Sequence, residues 1–275
     1  MIVTTKVLLE RAKAGRYAVP ALNVDNLESV LGVLAACRET GRSVIIQTIP
    51  KTLAYGGVKT YAAMVNALYD GGADIALHLD HGGGEEICKK CIEAGYSSVM
   101  IDGSALPFEE NAALTGRVVR YAHARGVAVE GELGTIGGKE ETAGSVSYTD
   151  PDEAAEFARI TKVDALAVGV GTAHGVYKGT PHIAVDRIAK IAARTPVPLV
   201  LHGASGLSDE VVRDCIAAGI SKINFATQLR QAFTSGLKAS LEKHPQAFDP
   251  KVYLPEAVEA VKAAAKEIIE LCCGN

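Results

Sequence analysis

The sequence predicts a (β/α)8 barrel with an added carboxyl-terminal helical segment. Three observations carry that prediction. Short apolar runs alternate with segments of helical periodicity, eight units fit into about 250 residues, and polar residues collect at the carboxyl ends of the runs. Each strand is separated from the next by a crossover, so the pairing must be parallel.

The expected strands are 17–24 (YAVPALNV), 43–49 (SVIIQTI), 74–80 (DIALHLD), 97–102 (SSVMID), 127–133 (VAVEGEL), 164–170 (DALAVGV), 197–203 (VPLVLHG) and 221–227 (SKINFAT). Between them lie segments such as 26–41 and 108–126, with apolar residues at three- and four-residue spacing. The stretch Thr149, Asp150, Pro151, Asp152, Glu153 supplies a cap candidate, a first-turn proline and early acids, and Ser208, Asp209 and Glu210 offer a second cap with early acids. Gly95, Gly126 and Gly219 each close a helix shortly before the next strand. A doubly wound open sheet would favour a glycine fingerprint after the first strand, and VPALNVDNLES has none. Past residue 245 or so, FDPKVYLPEAVEAVKAAAKEIIELCCGN adds a loop and a closing helix. No linker or composition break divides residues 1–275, which are expected to form one domain.

Composition excludes several partners. The 275 residues carry a formal net charge of −4, lack tryptophan and are 5% aromatic, which argues against nucleic acid or an anionic membrane. No apolar stretch is long enough to span a bilayer, and MIVTTKVLLERAKAGRY lacks the order of a signal peptide. Six cysteines in a chain this long suggest a reducing cytoplasm rather than a disulfide framework. The pair Cys88 and Cys91 sits in a helical pattern with no second pair at zinc-ribbon distance, and reads as ordinary helix.

The polar residues at the strand ends point to chemistry. Asn23, Gln47, Asp80 with His81, Asp102, Glu132, His202 and Asn224 fall at or near the ends of their runs, and His174 follows the sixth by a few residues. Any one of them alone reads equally as a satisfied polar residue at a sheet end. Together they mark a barrel rim, where catalytic groups gather. Three imidazoles converging there, His81, His174 and His202, with one open position, describe a catalytic zinc site. Asp80 and His81 are neighbours in LHLDHGGG, so they point to opposite faces of a strand. For both to serve one metal the backbone must turn, and Gly82, Gly83 and Gly84 are expected to allow it. His78, one layer deeper, reads as a structural histidine. Lys222, the lone lysine inside an expected strand, lies away from this rim. The stretch HGASGLSDE and the helix start at Asn224, Ala226 and Thr227 read either as plain turns or as a phosphate site after strands seven and eight.

In order along the chain, HLDHG, MIDGS, EGELGTIGGKEE, VGTAHGVYKG, LHGASGL and KINFATQLR resemble the motifs of the zinc-dependent class II ketose-bisphosphate aldolases. The resemblance implies reversible cleavage of fructose or tagatose 1,6-bisphosphate to dihydroxyacetone phosphate and glyceraldehyde 3-phosphate, by a homodimer or homotetramer. It implies His81, His174 and His202 as Zn2+ ligands, Asp80 as the acid/base at the C4 hydroxyl, and Glu140 as a mobile-loop proton donor. Gly175, Gly203, Ser205, Asn224 and Thr227 match phosphate and triose contacts, and Asn23 a further substrate contact. The backbones of Gly175 and Gly203 match ligands of a monovalent cation (Na+ or K+). Asp102 and Glu132 match polar residues near the metal or an alternative ion position. Two departures stand out. Ile49 occupies a position where such proteins often carry serine or threonine, with Thr48 a candidate substitute. The loop order KEE also leaves Glu140 and Glu141 as rivals.

Overall fold

The computed structural model describes residues 1–137, 147–175, 177 and 179–274. Eight parallel strands close in sequence order into a barrel, with β1 pairing β8 as well as β2. They are β1 (Val19–Asn23), β2 (Val44–Thr48), β3 (Ile75–Gly82), β4 (Ser98–Ile101), β5 (Ala128–Leu133), β6 (Ala165–Val168), β7 (Leu199–Leu201) and β8 (Ile220–Phe225). All eight fall inside or within two residues of the predicted runs. The helices precede and connect them: α1 (Thr5–Gly15), α2 (Leu27–Thr40), α3 (Pro50–Gly56), α4 (Val58–Leu68), α5 (Glu85–Glu93), α6 (Phe108–His123), α7 (Pro151–Thr161), α8 (Val185–Arg194), α9 (Asp209–Ala217), α10 (Thr227–Lys243) and α11 (Pro250–Cys273). None of the described helices is long and apolar enough to cross a membrane.

The caps follow their chemistry. The Asp150 carboxylate accepts from the Asp152 and Glu153 amides at the start of α7, and the Ser208 hydroxyl accepts from Val211 N–H at the start of α9. Asn26 and Ser29 form a reciprocal capping box on α2. Cys88 and Cys91 are buried, unpaired thiols of α5, and burial pushes both up to about 12, so they pack as small apolar groups. The carboxyl-terminal addition is the long helix α11, which packs on α2 and α10; Val261 of α11 lies against Gly32 of α2.

Two hydrophobic layers result. The larger core lies between strands and surrounding helices. The smaller fills the barrel: Val19, Ala21, Ile45, Ala76, Met100, Ala165, Ala167 and Val200 meet Leu8, Leu9 and Ala12 of α1, which plugs one end. Strand periodicity then dictates what occupies the other end. Two residues beyond Ala21, Ile45 and Ala76, the same inward face carries Asn23, Gln47 and His78, with Asp80 two further on. The plug is apolar and the opposite mouth polar, and this places the chemistry at the strands' carboxyl ends.

Candidate active site

The turn in LHLDHGGG is made by His81 itself rather than by the glycines after it. His81 adopts a left-handed backbone, φ 49°, uncommon for a residue with a side chain. The strand does not stop there, since β3 runs through Gly82. Leu79 pairs with Val99 but Gly82 pairs with Ile101, so β3 holds one more residue than β4 over this interval. This β-bulge cancels the alternation and lets Asp80 and His81 face the same rim. Gly82 has a different role from the expected one. A Cβ there would lie 2.5 Å from the Met100 carbonyl oxygen, so glycine permits β3 and β4 to approach at the bulge.

The imidazoles meet as the sequence predicted. His81 Nε2 lies 3.2 Å from His174 Nε2 and 2.9 Å from His202 Nδ1. Carboxylates assign the protons. His81 Nδ1–H donates to Asp102 Oδ2 at 2.9 Å, and His202 Nε2–H donates to Glu130 Oε1 at 2.8 Å. An ionised carboxylate only accepts, so each of these nitrogens carries its hydrogen and the other ring nitrogen carries a lone pair. With both rings neutral, two lone pairs face each other across 2.9 Å. Such an arrangement repels itself unless a cation lies among the nitrogens. Asp102 is fixed in turn by the Ser104 amide at 3.1 Å and the Ser104 hydroxyl at 2.7 Å. The loop carrying His174 is tied down where His174 N–H donates to Gly137 O, at 2.8 Å. Glu132 is buried, its Oε2 3.7 Å from His81 Nδ1, and together with His81 and Asp102 it forms a second group able to hold a metal.

Asp80 sits beside the cluster, 4% exposed, in a cradle of amides. Its Oδ2 accepts from Asn23 Nδ2 and Gln47 Nε2, and its Oδ1 from Asn224 Nδ2, each at 3.2 Å. Burial alone would raise its pKa. The neighbouring His81, His202 and Lys222 and the Asn23 amide outweigh burial and hold it at about 2. At neutral pH it is a carboxylate acceptor, 3.8 Å from His81 Nε2.

A cleft of 830 Å³ opens over these groups, lined by Asp80, His81, His174, Asn224, Lys51 and Arg230 among others. It continues past Gly175, Ser205 and Thr227 into a second hollow of 550 Å³ beside α10. The intervening loops are tightly joined. Gly203 has φ 69°, and a Cβ on it would lie 2.5 Å from Ala173 O. The Tyr177 hydroxyl donates to Gly203 O at 2.7 Å and accepts from Ala173 N–H at 3.0 Å. Ser205 Oγ accepts from Ala226 N–H and, at 3.5 Å, from Gln228 N–H, at the start of α10.

The family description "Fructose-bisphosphate aldolase class-II" matches residues 3–275. The chain belongs to that family. It is a lyase of the aldolase class, built on the barrel its solved relatives share. The YdjI aldolase of Escherichia coli K12 is 35% identical, with a TM-score of 0.89 over 99% of this chain and 97% of that one. A candidate fructose-1,6-bisphosphate aldolase from Coccidioides immitis is 30% identical, with a TM-score of 0.83 over 97% and 94%. The Campylobacter jejuni fructose-bisphosphate aldolase shares the fold at 24% identity and a TM-score of 0.86 over 98% and 95%.

In this class II aldolase, the expected residues Asn23, Asp80, His81, Asp102, His174, Gly175, Gly203, Ser205, Asn224 and Thr227 all line one cleft. Glu140 and its rival Glu141 lie outside the described residues. Thr48 does not replace the missing hydroxyl: it is buried and bonds Tyr96 Oη at 2.8 Å, while Ile49 lines the cleft. Sequence reasoning missed Glu130, although it lies two residues before Glu132 and so on the same strand face. It also left Lys222 without a role, and the structure pairs the two at 2.7 Å.

Proposed function

We propose that this aldolase reversibly cleaves a ketose 1,6-bisphosphate, with fructose favoured over tagatose, using Zn2+ held by His81, His174 and His202. The observation that carries this reading is the convergence of three imidazoles, His81 Nε2 lying 2.9 Å from His202 Nδ1 and 3.2 Å from His174 Nε2, with Asp80 and an open cleft beside them. Three neutral imidazoles with one side open suit zinc better than magnesium or calcium, which prefer oxygen. Bound there, the metal would act as a Lewis acid on the carbonyl side of the bond to be broken.

The chain's own residues supply the rest. Asp80 takes the C4 hydroxyl proton in cleavage and returns it in condensation. Asn23, Gln47 and Asn224 hold that carboxylate in place. Glu140 protonates the carbon left behind. The loop of Gly203 and Ser205, with Gly175, Asn224 and Thr227, receives the phosphate next to the carbonyl, where helix α10 presents its positive end. Backbone carbonyls of Gly175 and Gly203 take a monovalent cation. Lys51 and Arg230, at the cleft's other flank, meet the distal phosphate. Residues 1–275 act as one domain of a cytoplasmic homo-oligomer.

The test is the initial cleavage rate on fructose and tagatose 1,6-bisphosphates side by side, with chelator and zinc add-back. A rate abolished by chelator and restored by zinc supports the reading, and the ratio between sugars names the substrate. Bound zinc without cleavage of either sugar moves the assignment to another phosphorylated substrate.

A further inference from the structure

Beneath the metal cluster lies a buried polar chain that the proposed reaction does not use. Lys222 on β8, Glu130 on β5 and His78 on β3 are each no more than 1% exposed. Lys222 Nζ donates to Glu130 Oε2 at 2.7 Å, and the other oxygen, Glu130 Oε1, accepts from His202 Nε2–H at 2.8 Å. On its far side Lys222 approaches His78 Nε2 at 3.5 Å. His78 Nδ1 bonds Ser98 Oγ at 2.8 Å, and Ser98 Oγ bonds Thr5 Oγ1 of the plug helix at 2.7 Å. The line therefore runs from the plugged end to the rim.

A buried ion pair is costly and seldom the most stable way to fill a core. Apolar residues such as Ala21, Ile45, Met100 and Val200 fill much of the barrel interior around it. What the pair accomplishes lies at one end. With Lys222 on one oxygen, Glu130 has its other oxygen directed at His202, and a carboxylate there admits only the Nε2–H tautomer. That tautomer leaves His202 Nδ1 as the lone pair facing His81 Nε2. We propose that Lys222 and Glu130 are positioning residues for the metal: they fix the tautomer and ring orientation of His202, and through it set how tightly the cation is held. The inference rests on the metal-dependent reading above.

The test measures Zn2+ affinity directly, by competition with a chromophoric chelator, on apo-protein refilled with zinc alone. Glu130→Gln can present its amide NH2 to His202 and accept the wrong tautomer, so zinc should bind about 10- to 100-fold more weakly, the usual effect of removing such an outer partner. The double variant Glu130→Leu, Lys222→Met removes both charges and leaves no acceptor at residue 130 for His202 Nε2–H, and it serves if the single variant does not fold. A purely structural pair predicts that the double variant, folded as judged by its apo melting curve, regains wild-type zinc affinity. The positioning role predicts restored melting with affinity still reduced. Wild-type affinity in either folded variant overturns the inference. Wild-type protein that binds no zinc overturns the metal reading itself, and the inference with it.

Discussion

Replacing Asp80 by asparagine should separate chemistry from stability. The two side chains have nearly the same volume, so no cavity forms. The introduced amide can keep its carbonyl oxygen toward Asn23 and Gln47, whose amides both donate to Oδ2 at 3.2 Å. Its new NH2 then confronts the NH2 of Asn224, which donates to Oδ1 in the wild type. That conflict is relieved within the site, because Asn224 Oδ1 is buried with no hydrogen-bond partner among the described residues. An amide flip of Asn224 turns this oxygen toward the new NH2 and restores the third bond. What remains is the exchange of three charge-assisted bonds for neutral ones, about 3 kcal/mol in total, partly offset by the smaller desolvation cost of a neutral side chain, or several degrees in Tm. Loss of the proposed proton acceptor should lower kcat by roughly 10²- to 10⁴-fold. Steady-state kinetics and a melting curve on the same zinc-loaded preparation check both halves. Retention of more than about a tenth of wild-type kcat would falsify the role of Asp80, the lower bound for a general base being roughly 10²-fold. A collapse in Tm would show that the amide cradle cannot adjust.

Gly82→Ala should destabilise the fold by about 1–3 kcal/mol and weaken zinc binding, because its Cβ meets the Met100 carbonyl oxygen at the bulge that aims His81; unchanged metal affinity would disconnect the bulge from the site. Tyr177→Phe loses the bond to Gly203 O and leaves Ala173 N–H without its phenolic acceptor, so KM for substrate should rise several-fold with about 1–2 kcal/mol of stability lost, read by kinetics and urea unfolding. Asp25 gives a pH signature. Burial raises its pKa, but hydrogen bonds from Arg230 and Thr52 outweigh burial and leave it below the usual carboxylate range. Its stabilising contribution is therefore present above the unfolded value of about 3.9 and is lost as pH falls through the lower folded value. Asp25→Asn should flatten the acid side of a Tm-against-pH curve below about pH 4, and an unchanged slope there would refute the assignment.

Much of this site was legible because strand periodicity and barrel topology are local rules. Once eight runs are aligned, Asn23, Asp80, Glu132, His202 and Asn224 must approach one rim, whatever the details of register. Other features depend on facts no local pattern contains. Glu130 and Lys222 stand 92 residues apart, and their meeting depends on how β5 and β8 face each other across the barrel. The bulge at His81 depends on the spacing of β4 beside it, so the glycines that follow looked like the hinge while the histidine adopts the left-handed backbone. Thr48 was a reasonable stand-in for a rim hydroxyl by position. Its rotation toward Tyr96 follows from alternation with Gln47, which already faces inward.

The plug helix has a kinetic consequence. α1 precedes the first strand, yet Leu8, Leu9 and Ala12 rest on side chains from strands as distant as β7, and Lys13 Nζ reaches the Pro196 carbonyl 183 residues later. None of those surfaces exists as a unit until β1 has paired with β8. The helix can dock only after the ring has closed, so this chain belongs among the high-contact-order folders, whose assembly is slow. Closure and docking are then late events at the end of the barrel opposite the histidines. In hydrogen exchange, the amides of α1 should open with the whole barrel, while stripping the metal should loosen the rim and leave that end closed.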